Sequence, residues 1–433
     1  MSGEPSDTVE GPAAVARPVV KLRPGKGRRL AAGAPWIYAD EIAMDRRTKA
    51  LAPGALVRLQ EGERVLGLAA VNTASQIAGR LLDADAEAVV GRAWFRRRFE
   101  RAIRLRREVL GGDGASSDPA AFCRLVHAEG DGLPGLVVDR FGPAVVIQPN
   151  AAWVESLLKA VIGGLDDAVA ALGGAPVETI VVNAQSRVRR LEGLEQRLEV
   201  VRGDAAAPVA VSMNGAVYLA DLMGGQKTGL FYDQRPNHRI AARIAAGIGP
   251  GLGSGAPATA LDVFSHVGGF GLAMLSAAPD LSVTAVDSSA PALALAEEAA
   301  SRMGVAARYE TRRADAFEAM AAAAAAGETY GVVISDPPAF APHKAALEAG
   351  LRAYEKTARS AARLVSPGGW LVLCSCSGAV SAEALREASV RGIRAAGRAG
   401  ALVHVGRAGP DHPQHIALPE TGYLKALFFR LDG

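Results

Sequence analysis

From about residue 213 onward, short apolar runs alternate with Ala-rich amphipathic stretches. Candidate buried strands are 260–263, 282–286, 307–311, 332–334, 371–373 and 424–429, and the stretches between them read as helices. This alternation predicts an α/β fold, a doubly wound Rossmann-like parallel sheet. Between residues 19 and 85 the runs are shorter and closer together: 19–22, 36–38, 55–59 and 65–71, punctuated by Pro53-Gly54 and Glu61-Gly62. They predict a small β-rich module. The stretch 94–110 reads as a helix, with Trp94, Phe95, Phe99, Ile103 and Val109 toward one face. A strand pair at 133–138 and 144–148, a helix at 154–171 and a strand at 179–183 follow. They predict a compact α+β module. Ser366-Pro-Gly-Gly369 reads as a turn. The stretches 247–255 and 321–326 read as low-complexity insertions without chemistry. Four segments result: a disordered tail over 1–18, a β-rich domain over 19–90, a basic helix with a central α+β domain over 91–210, and an α/β domain over 211–433.

The 433 residues suffice for two or three such domains, and 49% of them are hydrophobic. No apolar run nears the ~20 residues of a membrane span, and the first residues lack a basic-then-apolar leader pattern. The three cysteines, Cys123, Cys374 and Cys376, make no disulfide framework. A cytoplasmic protein without a membrane partner is expected. A net charge of +3 says little, but its distribution says more. Residues 92–107 hold eight arginines against one glutamate, and a second basic cluster spans 21–29. Arginine is the phosphate-recognising cation, so both clusters are candidate RNA contacts, with a solvated helix face as the alternative.

Candidate chemistry sits where strands end. After the first strand of the α/β domain, Phe264, Ser265, Gly268, Gly269 and Gly271 form a turn in which backbone can approach a ligand. Its glycine spacing fails the dinucleotide template. Asp287, ending the second strand, is placed for a ribose diol. Asp315, after the third, is placed for an adenine amino group. Helix capping is the alternative for each acid. The set points to S-adenosyl-L-methionine. After the fourth strand comes Asp336-Pro-Pro-Ala-Phe340, whose prolines stiffen a loop and hold the acid outward, toward a nucleobase edge. Cys374 and Cys376 end the strand beyond it and should share a face. A thiolate there could attack C6 of a pyrimidine and so activate C5 for methylation. No metal is called for.

These segments, with Gly33-Ala-Pro-Trp-Ile-Tyr38, the run from Glu129-Gly-Asp-Gly to Asp139-Arg140, the stretch from Lys227-Thr-Gly-Leu to Arg235, Asp411-His-Pro413 and Pro419-Glu-Thr-Gly-Tyr-Leu-Lys425, resemble bacterial large-subunit ribosomal RNA cytosine-5 methyltransferases with an N-terminal PUA domain. The resemblance spans nearly the whole chain after the first twenty or so residues. It implies an RNA-binding PUA domain and a class I methyltransferase domain using S-adenosyl-L-methionine. It also implies ribosomal RNA as partner. Cys376 is implied as nucleophile, with Cys374 as second choice, and Asp336 as its catalytic partner at the base. Phe231, Asp233, Gln234 and Arg235 are implied to enclose the donor or the base, although that segment alone reads equally as a structural lid. Two positions depart from the pattern: Ala339, where many related enzymes carry a second cysteine, and His266, where a hydroxyl-bearing or aromatic residue is expected. A homodimer is an open option. Three other activities fit the residues less well: methylation of a base nitrogen through the Asp-Pro-Pro loop, a catalytically silent RNA-binding assembly factor, and a nicotinamide oxidoreductase.

Overall fold

The computed structural model describes residues 17–111, 117–224, 229–248 and 258–432. All but the last two residues of the expected tail lie outside these, as do Lys227, Thr228 and most of the glycine-rich stretch 247–255.

The first sheet holds β1 (Val19–Lys21), β2 (Trp36–Ile37), β3 (Ala55–Glu61), β4 (Arg64–Val71) and β5 (Gly79–Asp83), in the order β1-β3-β4-β5-β2. Val20, Ile37, Val57, Leu59 and Ala69 fill its core. Helix α1 (Arg92–Val109) follows and buries Trp94, Phe95, Phe99 and Ile103. It packs on α2 (Leu158–Ala171) and on a second sheet of β6 (Phe122–His127), β7 (Leu136–Phe141), β8 (Ala144–Pro149), β9 (Thr179–Ala184) and β10 (Arg197–Arg202). The predicted strand pair is the antiparallel β7–β8 hairpin. A two-stranded hairpin, β11 (Val209–Met213) with β12 (Ala216–Ala220), then links the core of this sheet to the next.

The third large sheet has seven strands: β13 (Thr259–Val263), β14 (Ser282–Asp287), β15 (Tyr309–Arg313), β16 (Tyr330–Ser335), β17 (Val365–Ser375), β18 (Gly400–Gly406) and β19 (Lys425–Leu431). Their order is β15-β14-β13-β16-β17-β19-β18, with β19 antiparallel to both neighbours and the other pairs parallel. Helices α3 (Arg235–Ala246), α4 (Gly269–Ala277) and α5 (Ala290–Arg302) cover one face. Helices α6 (Ala316–Ala325), α7 (Leu347–Ala362) and α8 (Ala382–Ala395) cover the other. The doubly wound α/β expectation therefore holds.

Three local expectations do not. The alanine run is no insertion but the second half of α6, because Asp315 caps that helix and Met320 and Ala323 bury one side of it. Ser366-Pro-Gly-Gly369 lies inside β17, where Gly368 (φ 66°) and a register shift absorb the kink. Strand β18 has no counterpart in the apolar pattern, since as an edge strand it leaves most side chains exposed. No helix among the described residues is long and apolar enough to cross a membrane.

Candidate active site

The build of the sheet reverses at β13, which pairs with β14 on one side and β16 on the other. Ligands of such sheets sit at the carboxyl ends of the strands beside that reversal. Three segments emerge there, after β13, β16 and β17.

The first is a strained turn. Phe264 (φ 63°) and His266 (φ 49°) both adopt left-handed backbone, which costs non-glycine residues energy and persists only when neighbours enforce it. The enforcing bonds are visible. Ser265 N donates to Val286 O at 3.0 Å, and Gly268 N donates to Ser265 O at 2.8 Å. His266 N donates to Asp287 Oδ2 at 2.9 Å, and Ser289 N donates to Asp287 Oδ1 at 2.8 Å. Asp287 thus braces the turn, and Ser289, not Asp287, caps α5. Asp315 is a cap, its Oδ1 accepting from Phe317 N and Glu318 N. The glycines answer to packing beneath the turn as well as to any ligand above it. A Cβ on Gly268 would lie 2.6 Å from the Tyr309 hydroxyl, and one on Gly269 would lie 2.8 Å from the His238 ring.

Sequence reasoning missed Asp262. It stands within β13, and an acid inside an apolar strand gave no signal beyond its presence. Its Oδ2 accepts from Gly271 N at 2.9 Å, while Oδ1 has no partner among the described residues. Burial raises this carboxyl to about 7. Ser265 Oγ is likewise buried without a partner.

The second segment carries Asp336, which is half-buried. Gln234 Nε2 donates to its Oδ2 at 2.9 Å, and Asn237 Nδ2 donates to Gln234 Oε1 at 2.6 Å. Gln234 therefore reaches the strand-end edge. Phe231 packs on His266 with ring centroids 5.1 Å apart, and Tyr423 OH donates to Asp233 Oδ2 at 2.6 Å. Arg235 departs from the donor-enclosing role. Its guanidinium is buried and bonds to the Phe122 carbonyl of β6, tying the two sheets together. Phe264, Phe317 and Phe340 form an aromatic wall on this edge, with centroids 6.4 Å and 6.5 Å from Phe264.

The third segment carries the cysteines. Cys374 is 1% exposed within the core, and burial pushes its thiol well above the ordinary range. Cys376, just past the end of β17, is half-buried, with Sγ 4.0 Å from the carbonyl of Pro337, the residue after Asp336. Cys123 is sealed in the second sheet, its thiol pushed up to about 12 by burial.

The arginine-rich helix is a different matter. Arg106 is fully buried and pairs bidentately with Asp131, at 2.5 Å and 2.8 Å, while also donating to Asp411 O. Arg92 pairs with Asp167, Arg96 and Arg104 with Glu100, and Arg107 with Asp118. Arg98 pairs with Asp83 and lies 3.8 Å over the Trp94 ring. Arg101 donates to Asp131 O at 2.7 Å. A phosphate-gripping role is corrected for Arg106, and most of the cluster is committed within the chain.

The PUA-like domain family matches residues 20–84, and the methyltransferase small domain family matches residues 254–396. Over 426 residues the chain is 33% identical to a ribosomal RNA large subunit methyltransferase of Deinococcus radiodurans, covering 96% of this chain and 98% of that one. The chain belongs to the ribosomal RNA large subunit methyltransferase family. Ribosomal RNA large subunit methyltransferase I of Shewanella denitrificans is 30% identical over 414 residues, covering 95% of this methyltransferase and 99% of that one. Among solved structures, a Streptococcus mutans protein assigned to the SAM-dependent methyltransferases superposes with a TM-score of 0.75 at 16% identity, over 95% of this chain and 100% of that one. A methyltransferase solved in complex with SAH gives 0.76 at 17% identity, over 96% and 100%. At these identities the structures establish the shared fold.

Proposed function

We propose that this methyltransferase is a cytoplasmic enzyme that forms 5-methylcytosine in large-subunit ribosomal RNA through a covalent bond between Cys376 and C6 of the base. The observation that carries this reading is the pairing of one half-buried thiol, Cys376, with the Asp336 loop, while Cys374 and Cys123 are sealed.

S-adenosyl-L-methionine fits the edge beside β13. Ser265 Oγ and Asp262 Oδ1 are buried polar atoms lacking partners among the described residues, and Phe264, Phe317 and Phe340 offer apolar faces. Asp287 would accept from the ribose hydroxyls with lone pairs left over from its two backbone bonds, and Asp315 would hold the adenine amino group with Oδ2. Gly268 and Gly269 would let the turn lie close, and Asp233 would close the near side. When bound, the donor supplies an electrophilic methyl carried on a sulfonium, which C5 accepts.

The remaining chemistry belongs to the chain. Asp336, oriented by Gln234, holds the cytosine at its N3 and amino edge. The Cys376 thiolate adds to C6, forming the S–C6 bond and moving the C5–C6 π pair onto C5 and the ring. After methyl transfer a base removes the C5 proton, the double bond re-forms and the thiolate leaves. With Ala339 in place of a second cysteine, solvent serves as that base. The division into an RNA-binding module over 19–90, a linker module over 91–210 and a transferase over 211–433 is part of the same proposal, as is action as a monomer or homodimer on one RNA.

Nucleoside mass spectrometry of ribosomal RNA from a strain lacking the protein tests this. One 5-methylcytosine in large-subunit RNA is expected to vanish. Loss of an N-methylated base instead would favour the Asp-Pro-Pro loop acting on an amine, and no change would favour a silent assembly factor.

A further inference from the structure

The segment Pro419–Lys425 entered the family resemblance without a chemical role, and the proposed reaction leaves it unused. It runs directly into β19, the antiparallel neighbour of the strand that leads to the nucleophile. Lys425 opens β19 and pairs with Ser375, the last residue of β17. The residue is 8% exposed. Nζ donates to the carbonyl of Ser377 at 2.8 Å and to that of Tyr423 at 2.9 Å. The ammonium is therefore pinned beside the Ser375-Cys376-Ser377 peptide by its neighbours on either side.

A buried ammonium is costly, because burial favours the neutral amine. Two carbonyl acceptors offset part of that cost and hold the protonated form. Burial does lower the Lys425 amine, and Cys376 as an anion pulls it back up. Groups facing Cys376 include Tyr354 from α7, Cys374 from β17, and Tyr423 and Lys425 from the β19 side, and its Sγ lies 4.0 Å from the carbonyl of Pro337, next to Asp336. Lys425 brings a positive charge to this set.

We propose that Lys425 is the positioning residue that makes Cys376 nucleophilic, its buried ammonium stabilising the thiolate while its two carbonyl bonds hold the strand end in place. This rests on the reading of Cys376 as nucleophile. The thiol proton passes to solvent, and Lys425 keeps all three of its own. A cation beside a thiol lowers its ionisation from the free value of about 8.5.

The test reads the thiol directly, without methyl transfer. Iodoacetamide alkylation of the full-length protein is followed against pH by intact mass, with Cys376→Ala as the blank, since Cys123 and Cys374 are sealed. In Lys425→Met the midpoint is expected to rise by about one unit or more, slowing alkylation at pH 7 about tenfold, while Lys425→Arg stays near wild type. An unchanged midpoint in folded Lys425→Met overturns the proposal. Should that variant not fold, the wild-type midpoint decides: below about 8.5 supports the proposal, and at or above it the proposal fails. Methyl transfer by Cys376→Ala is scored separately. Activity there with a shifted midpoint in Lys425→Met would sink the reaction and leave the ion pairing standing.

Discussion

The strand-end cleft and the arginine seam are both crowded with charge, and they handle it in opposite ways. In the seam, Arg106, Asp131, Arg124, Asp139, Asp411 and His412 are buried or nearly so, and each is matched. Arg106 takes both oxygens of Asp131, Arg124 takes those of Asp139, and His412 binds Asp411. Burial pushes the Asp411 carboxyl up, yet His412 and Arg235 bring it down to about 2. In the cleft, Asp262 Oδ1 and Ser265 Oγ are buried and unmatched, and Cys376 stays half-open. Satisfied charge in the seam is mortar between sheets; the unpartnered atoms Asp262 Oδ1 and Ser265 Oγ lie where the proposed donor would bind.

This contrast can be broken at either end. The largest effect belongs to the cleft. Cys376→Ala is expected to cut methyl transfer by roughly 10³- to 10⁶-fold with donor binding by calorimetry intact. Cys374→Ala should keep activity and cost about 1 kcal/mol of stability. Reversed outcomes would exchange the roles of the two thiols. Next comes the seam. Arg106→Met strands the Asp131 carboxylate, which should cost about 3–5 kcal/mol in denaturant unfolding. A cost below 1 kcal/mol would mean the pair is not mortar.

A smaller effect should appear at Asp262, through pH. Its folded carboxyl is raised to about 7. The folded state therefore holds the proton more tightly than the unfolded chain, so this stabilisation is complete below about pH 4 and is lost as pH climbs to 7. Asp262→Asn lacks that loss. The melting temperature of the variant relative to wild type should thus rise between pH 5 and pH 8, and a flat difference would show the acid already ionised. The smallest effect is at Arg97, exposed on α1 and without an ion pair among the described residues. Arg97→Ala should shift stability by less than about 0.5 kcal/mol, and a larger change would extend the mortar to the helix's outer face.

The same contrast explains what could be read from sequence. Five of the seven strands of the large sheet, β13, β14, β16, β17 and β19, showed as largely apolar runs because both faces of the sheet are covered there, while β15, at the other edge, was placed by the alternation of elements alone. Strand β18 did not show, since Val403 and Val405 are 56% and 43% exposed at the edge. Asp336 and Cys376 were legible because a strand end fixes where the next residue goes. The partners were not. Gln234 meets Asp336 from 102 residues away, and Lys425 meets Ser377 from 48. The arginine helix misled for the same reason. Composition counts charges, but the acids that claim Arg106 and Arg92 lie 25 and 75 residues on, and only folding brings them in.

The most direct test of the account is covalent trapping on large-subunit RNA carrying 5-fluorocytidine, in which no C5 proton can leave after methyl transfer. With S-adenosyl-L-methionine present, a denaturation-resistant protein–RNA adduct should form, and peptide mapping should find it on Cys376. No adduct, or an adduct on another residue, would contradict the proposed attack by this sulfur.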